Sequence, residues 1–297
     1  MPETKSERGL VLLVVLAMVS WGGSWPSGKL IAGLASPQLV IFWRFSVTSI
    51  LLLPLLRLFR ADLRLSGKDL LLLLAGAGLM TAYNQFFFAG LRLGLAGVGG
   101  VLVTSVTPLA TFILVALINR RRIKFRQALG LVLGLAGGAV LLEVWQLDLD
   151  QLLDSGNLFF LLCGLVWAGL TVLSQHIQKR IAFISYSFYI YAFSSLLALL
   201  LALPGGLLAI SGRVELFWLN IGYLALFATA FGATVYFLAA SRLGSRRAGS
   251  FVFLVPASAL FLSWLVLGEV PRLPTLIGGA AAVSAVYILN SSGKARR

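Results

Sequence analysis

Long apolar runs alternate with short polar breaks from one end of the chain to the other. Residues 10–18, 70–74 and 196–203 are aliphatic almost without exception. A helix that crosses a bilayer needs about 20 mostly apolar residues. On that criterion the pattern predicts ten spans, over 9–31, 37–57, 69–92, 97–119, 126–143, 157–178, 184–205, 216–241, 247–268 and 273–291. The expectation is an all-α integral membrane protein with ten transmembrane helices and no separate soluble domain.

The polar breaks carry a strongly one-sided charge. Nineteen of the 24 Lys and Arg residues fall on one side of the predicted membrane: Lys5 and Arg8, the clusters 57–68 and 120–126, Lys179 and Arg180, the cluster 242–247, and the C-terminal 294–297. Only Lys29, Arg92, Arg213 and Arg272 fall on the other, while Arg44 lies inside a span. Lys and Arg accumulate on the cytoplasmic side of membrane proteins, which predicts cytoplasmic N- and C-termini in the inner (plasma) membrane. Glu143, Asp148, Asp150 and Asp154 then share one external loop.

Composition agrees. Hydrophobic residues make up 59% of the 297 and charged residues only 11%, against about 25% charged in soluble domains. The net charge of +14 reads as topology rather than as a nucleic-acid partner, because the basic residues sit between apolar runs. The first run passes through Trp21, Trp25 and Pro26 without a small-residue cleavage pattern, so it reads as a retained span rather than a signal peptide. The lone Cys163 excludes an internal disulfide and any multi-cysteine metal site, and the lone His176 excludes paired-histidine zinc motifs.

An internal repeat organises the runs. Residues 89–94 (AGLRLG) return as 239–244 (AASRLG), and Pro54 returns as Pro204, both at an offset of 150. Pro108 and Pro256 are 148 apart, as are Gly130 and Gly278, and 21–23 (WGG) returns as 167–169 (WAG) after 146. Spans one to five therefore pair with spans six to ten. The expected units are a first five-helix repeat over 1–143, an external acidic linker over 144–156, and a second repeat over 157–297. Five is odd, so the second unit enters the membrane from the opposite face. Inverted repeats give transporters two related gates and a site near the midplane.

The motifs resemble those of EamA-type transporters in the drug/metabolite transporter superfamily. The resemblance rests on 21–29 (WGGSWPSGK), Pro37 followed by Arg44, Arg92-Leu93-Gly94, the span-centre Pro108 and Pro256, Gly268-Glu269, and the glycine-rich fifth and tenth spans. It covers nearly the whole chain and implies a ten-helix inverted-repeat carrier, often a bacterial exporter of amino acids or related metabolites. One departure stands out: the family often repeats Gly-Glu after the fourth span, and here the position 148 before Glu269 is Arg121.

Polar residues in a bilayer face the bundle interior or a cavity, so their helical spacing marks a lining. Span one offers Trp21, Ser24, Trp25 and Gly28; span three offers Thr81, Asn84, Gln85, Phe88 and Arg92; span four offers Gly100, Thr104, Thr107, Pro108 and Thr111. Span six adds Trp167, Thr171, Ser174, Gln175 and Gln178, and span eight adds Thr229, Gly232, Ala233, Tyr236 and Ala240. From these the candidate substrate residues are Trp21, Ser24, Trp25, Arg44, Tyr83, Asn84, Gln85, Thr104, Thr107, Trp167, Thr171 and Tyr236. Trp21 and Trp167 fall near the midplane, where they either wall a pocket or fill packing space. Tyr83 lies opposite the polar stripe of its helix, and only a wide cavity touches both. Arg44 has no arginine at its repeat position near Ser194. It either holds a substrate carboxylate, stabilises neighbouring carbonyls or snorkels outward. Gly130, Gly134 and Gly138, mirrored by Gly278 and Ala282, form a small-residue seam for spans five and ten or for a homodimer.

No carboxylate falls in the middle of a predicted span, which favours a facilitator over proton coupling. Pro26, Pro108 and Pro256 are the candidate hinges. The expected cargo is a small neutral metabolite, an apolar or aromatic amino acid, exported by alternating access without metal or cofactor. A carrier of phosphorylated sugars or nucleotide sugars needs several cavity cations, and only Arg44 qualifies. A channel or scaffold is the reading from another class, and an intramembrane enzyme has too few catalytic groups to build from. The expected partners are the substrate and the lipid bilayer, with monomer and homodimer both open.

Overall fold

The computed structural model describes residues 5–120, 123–146, 155–243 and 251–291, and the described elements are all helical. They run α1 (Lys5–Ala32), α2 (Pro37–Leu58), α3 (Gly67–Leu93), α4 (Ala96–Ile118), α5 (Phe125–Leu142), α6 (Asn157–Ile177) and α7 (Phe183–Ala202), which ends in a 3-10 turn. The next helix, α8, has three parts: α-helical Val214–Tyr223, π-helical Leu224–Phe231 and α-helical Gly232–Leu243. Last come α9 (Leu254–Leu267) and α10 (Leu273–Ser291).

Eight of these are long and apolar enough to cross a membrane, and α9 and α10 are shorter apolar helices. The chain is thus a multi-pass membrane protein. Side chains such as Leu71 (70% exposed) and Phe125 (80% exposed) coat its outside, a surface only lipid tolerates. The predicted spans match these helices to within a few residues, except that a turn at Val252 and Phe253 interrupts the ninth, whose described helix after it is α9. Positions 247–250 lie outside the described residues, as do Arg121, Asp148, Asp150, Asp154 and most of the predicted linker.

Local chemistry sets several ends. The Ser36 hydroxyl accepts the Leu39 N–H and Pro37 opens α2. Ser66 and Asp69 cap α3 reciprocally, each side chain accepting the other's backbone N–H, a pairing that satisfies two donors at once. Pro256 lies in the first turn of α9, and the chain makes a turn at Val252 and Phe253. Proline has no N–H to give the carbonyl four residues back, and its ring crowds that carbonyl; here that residue is Val252. Pro108 and Pro26, by contrast, are carried inside continuous helices.

The first five helices pack against the last five. The most extensive pairs are α5 with α10, α2 with α7, α3 with α6, α1 with α8, α1 with α9, and α4 with α6. Next come α4 with α9, α3 with α7 and α2 with α8. Adding five to each helix number of the first half, and subtracting it in the second, maps this set of pairs onto itself. Where α2 crosses α7, Ser46 Oγ meets Ser195 Oγ at 2.7 Å, two residues separated by 149.

The α5–α10 seam is built from Gly134 and Gly137. A methyl group at Gly137 would collide with the Gly278 carbonyl and Ala282 N, whereas one at Gly138 would meet nothing. The expected Gly138 is therefore one position off. Counted from Gly130, buried with Gly134 and Gly137 on the same helix, seven residues are nearly two full turns of an α-helix, whereas eight rotate about 80° away.

Candidate functional site

The helices bring their polar mid-span residues together around Arg44. From α2, Arg44 Nη1 donates to Asn84 Oδ1 on α3 and Nη2 donates to Thr229 Oγ1 on α8, both at 3.2 Å. Its guanidinium carbon lies 5.5 Å from the Phe45 ring centroid, and its Nε is buried without a partner. The titratable groups that face it are the phenols of Tyr83 on α3 and Tyr191 on α7.

Both neutral acceptors are already oriented by their own helices. Asn84 Nδ2 donates to Met80 O at 2.9 Å, and the Thr229 hydroxyl donates to Leu224 O, five residues back, at 2.7 Å. The second bond belongs to the π-helical stretch of α8. Such stretches are rare and gather at functional sites. Here the wider turn also leaves Ala228 O to accept Trp21 Nε1 at 2.8 Å. The indole of Trp21 therefore sits one residue from Thr229, and so beside the Arg44 contact.

Two aromatic pairs flank this centre, each joining opposite halves of the chain. Trp21 on α1 packs against Tyr236 on α8 at 5.4 Å between centroids, and Trp167 on α6 against Tyr83 on α3 at 4.6 Å. All four side chains are partly, not fully, buried. Tyr83 and Asn84 are neighbours in sequence and both reach the Arg44 cluster, so the polar stripe of α3 and the face beside it share one centre.

Some hydroxyls in the predicted lining are spent locally, whereas those of Thr81 and Thr111 are buried without a partner. Ser24 donates to Trp21 O at 2.6 Å, Thr104 to Gly100 O at 2.6 Å and Thr171 to Trp167 O at 2.7 Å, each along its own helix. Thr107 reaches across to Gly164 O of α6 at 3.5 Å. Trp25 is buried away from the centre, against Phe87 and Phe160 at 4.9 and 5.8 Å. Gln85 is half-buried on α3.

The end of the bundle that holds the α3–α4 and α9–α10 connections is locked by charge. Glu269 accepts the Ala96 and Gly97 N–H groups at 3.0 and 2.9 Å, capping the N-terminus of α4 from the other half. A carboxylate there satisfies two orphan donors and complements the helix dipole. Lys29 Nζ donates to Gly94 O at 2.8 Å, and Arg272 pairs with Glu143 at 2.8 Å. A cavity of about 340 Å³ opens at this end, walled by Glu143, Asn157, Glu269 and Arg272 among others. At the opposite end, Arg180 pairs with Asp69 at 3.2 Å, and Ser185 donates to Asp62 O at 2.7 Å.

Several of these residues carry no sequence signal. Tyr191 and Asn220, which accepts a 2.7 Å hydrogen bond from Ser27, lie within apolar runs at no motif position. Lys29 and Glu269 stand in motif segments, but nothing in their spacing reveals that they bond to the α3–α4 connection.

Known proteins place this architecture. The model of the EamA-like transporter family matches residues 8–142 and again 154–291. An uncharacterized transporter of Archaeoglobus fulgidus is 24% identical over 93% of this chain and 96% of its own. YetK of Bacillus subtilis, also an uncharacterized transporter, is 25% identical over 96% and 87%. A chloroplastic WAT1-related protein of Arabidopsis thaliana is 28% identical over 71% of this chain and 52% of its own. One solved crystal structure aligns over 97% of this chain and 99% of that one with a TM-score of 0.65 at 19% identity, which establishes a shared fold.

Proposed function

Because the chain belongs to the EamA-like transporter family, we propose that it exports neutral, apolar or aromatic amino acids by alternating access, as a facilitator. The observation that carries this reading is the pair of aromatic contacts, Trp21–Tyr236 and Trp167–Tyr83, on either side of the Arg44–Asn84–Thr229 cluster. A small-molecule site has apolar and aromatic walls and a few fixed polar groups. Multiply charged phosphates need several paired cations when desolvated, and this cluster contains one.

Inverted repeats supply the transport mechanism. Three observations support that architecture: the twice-matching family model, the exchangeable packing pairs, and the Ser46–Ser195 contact at nearly the repeat spacing. With Lys and Arg marking the cytoplasmic side of the inner membrane, Glu269 and Lys29 belong to the external gate, closed in this arrangement. Pro26, Pro108 and Pro256 mark where helices bend as the gates exchange. Pro108→Ala and Pro256→Ala are each expected to slow turnover severalfold. Unchanged rates in both variants would remove the hinge assignment.

The substrate class is tested by competition in proteoliposomes loaded with labelled phenylalanine. Methionine, phenylalanine and tryptophan are expected to compete, and a sugar phosphate is not. Exchange with the sugar phosphate and with none of the amino acids would overturn the reading.

A further inference from the structure

Arg44 holds more positive charge than its contacts account for. Its two partners, Asn84 Oδ1 and Thr229 Oγ1, are neutral oxygens. A neutral glutamine amide at this position has N–H donors to offer them without bringing a charge into the membrane interior. Bridging three helices is therefore not a sufficient reason for a guanidinium here, and the charge itself needs a counter-ion.

The described residues offer none at that depth. Among the described residues the carboxylates sit at helix ends or in loops: Glu7 in the first turn of α1, Asp62 before α3, Asp69 in its first turn, Glu143 capping α5, Glu215 in the first turn of α8 and Glu269 after α9. Asp69, Glu143 and Glu269 are bonded where they stand. The groups that face Arg44 from α3 and α7 are the phenols of Tyr83 and Tyr191. A charge buried in a bilayer is retained when it serves a substrate or ion pathway.

Three of the five guanidinium N–H groups remain without an acceptor, the Nε–H among them. Arginine presents these donors as a planar fork that matches a carboxylate with two parallel hydrogen bonds. The Asn84 amide cannot present such a fork, since its donors sit on a single nitrogen that is already directed at Met80 O and Met80 Sδ. The flanking Trp21, Tyr236, Tyr83 and Trp167 are uncharged and aromatic, fit for the rest of the molecule.

We propose that Arg44 is the anchor for a single carboxylate of the transported molecule, so that the substrate must carry one anionic head group and no second one. One positive charge neutralises one carboxylate, whereas a dicarboxylate or phosphate dianion leaves negative charge unpaired among Trp21, Tyr83, Trp167 and Tyr236. This rests on the assignment of the Arg44 cluster as the substrate site, but not on the substrate being an amino acid.

The test pairs each acid with its amide, which keeps shape and removes the negative charge. Purified full-length protein in liposomes is preloaded with phenylalanine or lactate, and exchange is measured against phenylalanine and phenylalaninamide, then against lactate and lactamide. At least one acid is expected to exchange about 10- to 100-fold better than its amide, the span of a lost charged hydrogen bond. Arg44→Gln should abolish that preference. Arg44→Lys, which keeps the charge and loses the fork, should retain the preference with a raised KM. If lactate shows the preference and phenylalanine does not exchange, the amino-acid reading falls while the Arg44 anchor stands. The anchor is overturned if acid and amide exchange equally in every pair, if neither acid exchanges, or if Arg44→Gln keeps the wild-type preference.

Discussion

At the scale of single residues, most polar side chains in the spans are occupied by their own helices. Ser24, Thr104 and Thr171 return their protons to backbone carbonyls three or four residues back. What remains for a ligand is the Arg44 fork, the faces of four aromatic rings and, from the predicted lining, the unpartnered hydroxyls of Thr81 and Thr111. Trp167 tests the division between pocket wall and packing. It packs at a tilt against Tyr83 but keeps part of its surface open. Trp167→Ala is therefore expected to raise KM for tryptophan and phenylalanine by about tenfold while leaving alanine nearly unchanged, as aromatic contact area of this size is worth about 1–2 kcal/mol. Equal loss for all substrates would make it a packing residue. The stripes were legible in the sequence because helical periodicity is. Which members are already satisfied was not, because a hydroxyl bonded to its own helix and one facing a cavity have the same spacing.

At the scale of elements, helix ends carry the energetics. The apolar runs located the helices to within a few residues, since an apolar run and its flanking charges are local properties, and eight of those helices are long and apolar enough to cross a membrane. The interruption in α8 was not visible: the π-helical stretch Leu224–Phe231 has an ordinary apolar sequence, and its geometry answers to Trp21 and Arg44 from other helices. The turn before α9 was half visible, in Pro256 but not in its extent. The Glu269 cap on α4 has a direct consequence. Losing the carboxylate charge weakens two bonds at the α4 N-terminus and their dipole complement, together about 1 kcal/mol, or about fivefold in the balance between closed and open. Cys163, the single cysteine, is buried and donates to Tyr83 O, so it reports such opening. In Glu269→Gln, labelling of Cys163 by a thiol reagent should quicken severalfold. Labelling as slow as in the unaltered protein would show that Glu269 does not hold this end shut.

At the scale of the whole molecule, two five-helix units meet along pairs that exchange with one another, and Arg44 breaks the symmetry. Its repeat counterpart, Ser194, is buried and donates to Ala77 O at 3.2 Å. The Gly-Glu motif is similarly one-sided, since Arg121 stands where the first half would carry its glutamate. An ideal two-fold carrier has equivalent gates, whereas the two ends of this chain are held differently, one by Glu269 on the α4 N-terminus and the Arg272–Glu143 pair, the other by the Arg180–Asp69 pair. The mid-membrane centre offers one cation and, among the described residues, no carboxylate to relay protons. The measurement that tests the carrier account most directly is solute counterflow. Liposomes containing the protein and excess unlabelled phenylalanine are diluted into a trace of labelled phenylalanine, with no pH or ion gradient. The account predicts a transient overshoot of label inside, saturable with external substrate and unaffected by a protonophore. A simple rise to equilibrium, or an overshoot that collapses with the protonophore, would contradict it.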